Sequence, residues 1–240
     1  MVSRRATTAY NAATYERLWG VARFHPPSRT PWFPVLAALA AQAPARLEVG
    51  PGMWPRLPVE GTHVVELSAH ALEGLGAHGA IPHAGLLHEV AFPTATFDLI
   101  AIFEVLEHVD DDRALLRELA RIAKPGATLA ASVPMGMTHW TAWDDYAGHV
   151  RRYEPDELRA KLAAAGFAIE RFEVRPTTMS KGAAALFAPL CRAFPRLSMR
   201  ITEAVFLPAA CRQVLAWRDA SQWSACTAGA GECTLVCRRN

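Results

Sequence analysis

Two acids flank a turn that carries no side chains. In Arg46-Leu47-Glu48-Val49-Gly50-Pro51-Gly52 a short apolar run ends in two glycines, and Glu66 closes a second run, His63-Val64-Val65-Glu66-Leu67, fourteen residues past Gly52. Glycines at a strand end let a ligand approach the backbone closely. The free N–H groups there suit a carboxylate or a phosphate. An acid at the tip of the next strand offers two oxygens to a ribose diol, the arrangement of doubly wound sheets. Gly-x-Gly-x-x-Gly is absent, because Pro55 stands in place of the third glycine. A pyrophosphate would find no regular helix start, so the corner reads as a nucleotide site and not a dinucleotide one.

Two histidines are candidate bases. His108 ends Val105-Leu106-Glu107-His108, just past an apolar run, and His149 lies in Gly148-His149-Val150-Arg151-Arg152-Tyr153. A neutral imidazole with a reference pKa of about 6.5 can take a proton from a hydroxyl acceptor. For His108 the competing role is to tie down the start of the next helix. Around His149 stand Trp140, Trp143, Asp144, Asp145, Tyr146 and Tyr153, an aromatic cluster read as substrate contact, with His139 a weaker third candidate. Arg151-Arg152 suits an anionic substrate group or a carboxylate-paired surface. No His-x₃-His or Cys/His spacing points to a metal site.

The 240 residues suffice for one ample α/β core with an insertion. A hydrophobic fraction of 51%, a charged fraction of 20% and a net charge of +2 are those of a globular protein with no general pull toward nucleic acid. Met1-Val2-Ser3-Arg4-Arg5 leads into no apolar run, and no stretch has the length of a membrane span, so neither a secretory signal nor an anchor is expected. Cys191, Cys211, Cys226, Cys233 and Cys237 make an odd set without paired spacing, which argues for reduced thiols and a cytoplasmic setting.

The elements that position these residues follow from periodicity. Tyr10, Tyr15, Leu18, Trp19, Val21 and Phe24 predict a helix over 7–24 that closes over a pocket or packs on the sheet edge. Pro34 opens a second helix through Ala40. Strands are expected at 45–49 and 63–67. Pro55 and Pro58 between them forbid a regular crossover helix, leaving Trp54 and Leu57 to fill its space. Ser68 caps a helix ending at Gly76, and a weak strand near 80–84 follows. Phe97–Phe103 is a central strand, Asp110-Asp111-Asp112 caps the next helix, and Lys124-Pro125-Gly126 stops it before a strand at 127–133. A helix from Pro155 and a strand at 167–174 complete the core. Residues 177–217 are apolar helical pieces broken by Pro189, Pro195 and Pro208, an inserted cap that either roofs a hydrophobic acceptor or forms a homodimer interface. The last strand, Glu232–Cys237, is expected antiparallel.

The phrases LEVGPG, VVELS, FDLIAIFEVLEHVDD, LLRELARIAKPGATLAASVP and GHVRRYEPDELRAKLAAAGF, in that order, resemble the class I S-adenosylmethionine-dependent methyltransferases, in particular the small-molecule branch that includes quinone-biosynthesis enzymes. The resemblance covers about 45–175. It implies a Rossmann-like α/β fold with a seven-stranded, mostly parallel sheet and an antiparallel last strand. The expected layout is one domain over 1–240: an N-terminal helical segment (1–44), a cofactor-binding core (45–175), a helical cap (177–226) and a final strand (231–240). The resemblance places S-adenosylmethionine against Glu48, Val49, Gly50, Pro51 and Gly52, with Glu48 on its ammonium and Glu66, beside Leu67, on its ribose. Phe103 and Glu104 would line the methyl-donor side, Leu86 and Leu87 would hold adenine by apolar contact, and His108 and His149 would serve catalysis. Trp143, Tyr146, Arg152 and Tyr153 would meet a small hydrophobic acceptor. Trp54 stands at the family's usual third glycine, and the frequent adenine aspartate is missing. A methyltransferase-like subunit that binds without transferring is therefore the alternative reading. No nucleic-acid partner is expected, since the Asp/Asn-Pro-Pro-Tyr/Phe type of signature is absent.

Overall fold

The computed structural model describes residues 4–177 and 179–240, so residues 1–3, part of the amino-terminal reading, and residue 178 of the predicted cap lie outside the description. The elements run α1 (Arg4–Trp19), α2 (Phe33–Ala41), β1 (Arg46–Val49), β2 (His63–Glu66), α3 (Ala69–Gly76), β3 (Ile81–Ala84), β4 (Phe97–Phe103), α4 (Asp112–Ile122), β5 (Ala123–Pro134) and α5 (Ala142–Ala147). After these come α6 (Pro155–Ala164), β6 (Phe167–Arg175), α7 (Lys181–Ala193), α8 (Pro195–Ile201), α9 (Leu207–Cys211), β7 (Arg218–Asp219), α10 (Trp223–Cys226) and β8 (Glu232–Arg239).

One sheet runs β3-β2-β1-β4-β5-β8-β6-β7. β1 to β5 are mutually parallel, β8 is antiparallel to both β5 and β6, and the fold is the expected mostly parallel α/β sheet with an antiparallel last strand. Among the described residues the count is eight strands and not seven. The addition is the two-residue β7, whose Arg218 and Asp219 pair with Phe172 and Arg171 at the edge, too short to leave a periodic signal. β5 also begins at Ala123, earlier than expected, because Ala123 pairs with Phe97 ahead of a register shift; Lys124-Pro125-Gly126 ends α4 without delaying the strand.

The strand order reverses between β1 and β4, and in such sheets ligands bind outside the carboxyl ends at that switch point. Leu99, Ile100, Ala101 and Ile102 of β4 have no exposed surface. One face of the sheet is covered by the α4 stripe Leu116, Leu119 and Ile122. The other carries Trp32, Leu36 and Leu57. Leu57 occupies the helix-free β1–β2 connection at 0% exposure, the filling role its prolines imposed. The caps form as expected: Ser68 Oγ accepts from Ala71 N at 3.1 Å and Asp111 Oδ1 from Ala114 N at 3.0 Å. Above the carboxyl ends, Leu18 of α1, Met53, Tyr146 of α5, Ala188 and Cys191 of α7 and Met199 of α8 bury one another in a separate apolar cluster that roofs the switch point. No described helix is long and apolar enough to cross a membrane.

Candidate functional site: a turn, two acids and a buried polar cluster

The turn after β1 is built for close approach. Gly50 and Gly52 adopt φ of +65° and +55°, which strain any other residue type. A Cβ on Gly50 would stand 2.7 Å from Val105 Cγ2. A Cβ on Gly52 would fall within the indole of Trp19, brought there by α1. Trp19 stacks edge-on against Trp54 at 5.2 Å, so the cradle exists and the protein's own aromatic fills it.

Glu66 holds that turn. Its Oε2 accepts from Gly52 N at 2.9 Å and its Oε1 from Leu67 N and Ser68 N at 2.7 and 3.0 Å. Burial lifts its carboxyl above the usual range against the pull of these three N–H groups. One lone pair of Oε2 remains for a ligand hydroxyl. Glu48 lies on the same sheet face, since it pairs with Val64 and Glu66 follows two residues on. Its oxygens accept from Arg56 N at 2.8 Å and Leu57 N at 3.0 Å, and burial pushes its pKa up to about 7. Both Glu48 oxygens are thus engaged in closing the β1–β2 connection.

At the carboxyl end of β4 a polar cluster is buried. Glu104 has φ of +53° and accepts from Ser132 Oγ at 2.6 Å. Glu107 is 0% exposed, neither of its oxygens meets a hydrogen-bond donor of good geometry among the described residues, and burial and the neighbouring Glu104 raise its carboxyl well above the usual range. His108 Nε2 and His149 Nε2 stand 3.9 and 3.8 Å from Glu107 Oε1. Each imidazole is fixed through its other nitrogen: His108 Nδ1 is 3.3 Å from Gly148 O, and His149 Nδ1 is 2.8 Å from Asp144 Oδ1. Burial, and then the neighbouring His149, hold the His108 pKa down to about 3, so this ring is neutral. Tyr15 of α1 closes the cluster with Oη 3.4 Å from His108 Nε2. His149 and Glu104 line a cavity of about 50 Å³ with Trp143 and Arg152. A larger cavity, about 360 Å³, lies among Asp98, Lys124 and Thr128 at the amino ends of β4 and β5, away from the switch point.

A family model described as a methyltransferase domain matches residues 43–171, more than half of the chain. The chain belongs to the methyltransferase-domain family. A Mycolicibacterium smegmatis protein named a probable S-adenosylmethionine-dependent methyltransferase is 32% identical over 88 residues, 36% of this chain and 34% of the relative. That match spans about a third of the relative's length. Among solved structures, a methyltransferase from Thermotoga maritima superposes with a TM-score of 0.56 at 15% identity, over 88% of this chain and 91% of that one. The cyclase SpnF superposes with a TM-score of 0.57 at 15% identity, over 99% and 96%. At such identity both likenesses show the fold alone.

Within the methyltransferase domain, the other sequence-predicted residues divide by burial. Val49 and Leu87 are core residues, Pro51 is buried, and Leu67 is exposed beside the turn. The Leu86 amide is held by Glu89 Oε2 at 2.7 Å. Phe103 faces Trp32 at 6.2 Å, in the core on the α2 side of the sheet. Trp143 reaches the cavity. Tyr146 and Tyr153 do not, at 0% and 1% exposure. Tyr153 donates to Asp112 Oδ2 at 2.8 Å, which anchors the start of α4 and leaves no surface for an acceptor. Arg152 grips Asp144 with both arms, Nε to Oδ1 at 2.7 Å and Nη2 to Oδ2 at 3.1 Å, so it is a paired cation and not a free anion site. Glu107 was not among the residues expected at the site, and Asp144 was read only as one of the residues around His149 that meet substrate. The Glu107-His108 pair read as a helix start, and only the return of the β5–α6 connection over β4 brings Asp144 and His149 to it.

Proposed function

We propose that this chain transfers a methyl group from S-adenosylmethionine to a small apolar acceptor. The observation that carries the reading is the Gly50–Gly52 turn at the switch point, left-handed at both glycines and tied to Glu66. The family membership and the name of the mycobacterial relative point the same way. Bound there, S-adenosylmethionine supplies a methyl group on a positively charged sulfur. Gly50 and Gly52 would give it backbone approach, their own N–H groups being held by Val65 O and Glu66 Oε2, and Glu66 Oε2 would accept from a ribose hydroxyl. The Trp19 side chain must leave before the cofactor enters.

The acceptor end would open from the cavity lined by Glu104, Trp143 and His149, beside the apolar cluster of α1, α5 and α7; at about 50 Å³ it holds little more than a water and must widen to take an acceptor. That cluster favours a hydrophobic acceptor. Alignment of acceptor and methyl carbon can supply as much as ~7–11 kcal/mol in favourable cases. Incubation with S-adenosylmethionine and a panel of apolar hydroxyl and amine compounds, read by a methyl mass increment, tests the reading. The filled cradle favours one alternative, a subunit that binds partners without transferring. Absence of both heat and thermal shift with millimolar S-adenosylmethionine would support that alternative. The outward cap residues Leu186 and Phe194, 79% and 60% exposed, are the surface on which a homodimer would form, which gel filtration reads directly.

A further inference from the structure

We propose that Glu107, His108 and His149 bind a divalent first-row transition-metal ion, with Glu104 beside it. Each of the three offers one ligand atom, and these atoms all lie within 4.8 Å of one another. Two imidazoles and one carboxylate suit ions from manganese to zinc better than magnesium or calcium, which prefer oxygen alone.

Two observations converge. The Glu107 carboxyl is wholly buried, and among the described residues neither oxygen meets a hydrogen-bond donor of good geometry, an arrangement that is costly unless something compensates it. The second ring nitrogens are already held, His149 by Asp144 and His108 by the Gly148 carbonyl; Nε2 of each faces Glu107, and on His108 an ion would displace the Tyr15 hydroxyl, 3.4 Å away. This outer support is the one metal-bound histidines require. Ligands about 2.1 Å from an ion stand roughly 3.0–3.4 Å apart. The spacings of 3.8 and 3.9 Å would therefore close by about half an ångström on loading.

The site does not depend on methyl transfer, but its use does rest on that reading. His149 and Glu104 also line the cavity proposed for the acceptor, so an open coordination position there would take an acceptor oxygen and lower its pKa. The two histidines would then be ligands, and no separate base would be needed.

The test is made without S-adenosylmethionine, so its failure is distinguishable from failure of the transfer reading. Chelator-treated full-length protein is titrated with Co²⁺, followed by its visible absorption, and with Zn²⁺ by calorimetry. One ion per chain is expected, with affinity falling at least about tenfold in Glu107→Gln and His149→Ala. No saturable binding up to millimolar metal overturns the proposal, as does unchanged affinity in both variants when circular dichroism shows them folded. Should they not fold, anomalous scattering from wild-type crystals soaked in Zn²⁺ decides. A peak between Glu107 and the two Nε2 atoms supports the site, and a peak elsewhere, or none, overturns it.

Discussion

The indole of Trp19 lies on Gly52, in the space a β-carbon would need. One residue at the end of α1 therefore competes with any ligand of the turn, and apparent affinity is reduced by the fraction of molecules in which the cradle is open. Trp19→Ala removes the competitor. Calorimetry is expected to show S-adenosylmethionine binding tightened by about tenfold or more, together with a stability loss of roughly 2–3 kcal/mol from the emptied aromatic contact with Trp54. Affinity unchanged or weakened would show that the indole is not a competitor.

Asp112 gathers three donors: Tyr153 Oη at 2.8 Å, Lys161 Nζ at 2.6 Å and Arg151 Nη1 at 2.7 Å. Burial works to raise its carboxyl, and the bonds from Lys161 and Tyr153 overrule it, so the group stays below the usual range. Tyr153→Phe should cost about 1 kcal/mol, and Asp112→Ala about 2–3 kcal/mol, because the buried Tyr153 hydroxyl loses its acceptor while Lys161 keeps Glu157 at 2.6 Å. Urea unfolding measures both. Tyr153→Phe should leave transfer activity unchanged, and a loss of activity without a loss of stability would restore the tyrosine to the acceptor site.

Glu48 makes stability depend on pH. Its folded pKa of about 7 lies above its ordinary value of 4.5, so between these values the folded state binds more protons than the unfolded one. Stability contributed by this group is full below the unfolded value and is lost as pH rises through about 7, by roughly 3 kcal/mol. Urea midpoints at about pH 5 and about pH 8 should show that fall in the wild type and much less of it in Glu48→Gln. Equal slopes in the two proteins would assign the dependence to another group.

Much of the fold could be read along the chain because local signals agreed with it. Ser68 and Asp111 cap where their side chains suggested, Pro55 and Pro58 excluded a helix, and the continuous apolar run Phe97–Phe103 became the central strand. Contacts between distant segments could not be read in this way. The same letters that mark Tyr153 and Arg152 as binding residues also fit a buried phenol on Asp112 and a paired guanidinium on Asp144; only packing chooses between them. Glu107 and His149 come from separate segments, so no motif spacing announces their meeting. The placement of Trp19 over the turn depends on the docking of α1, which its periodicity left open.

The most direct test is a calorimetric titration of the full chain with S-adenosylmethionine beside Gly52→Val. One site per chain is expected in the wild type, and none in the variant, whose side chain would occupy the cradle and oppose the left-handed turn. If the wild type gave no heat at millimolar ligand, or the folded variant bound as tightly, the assignment of this turn to the cofactor would be contradicted.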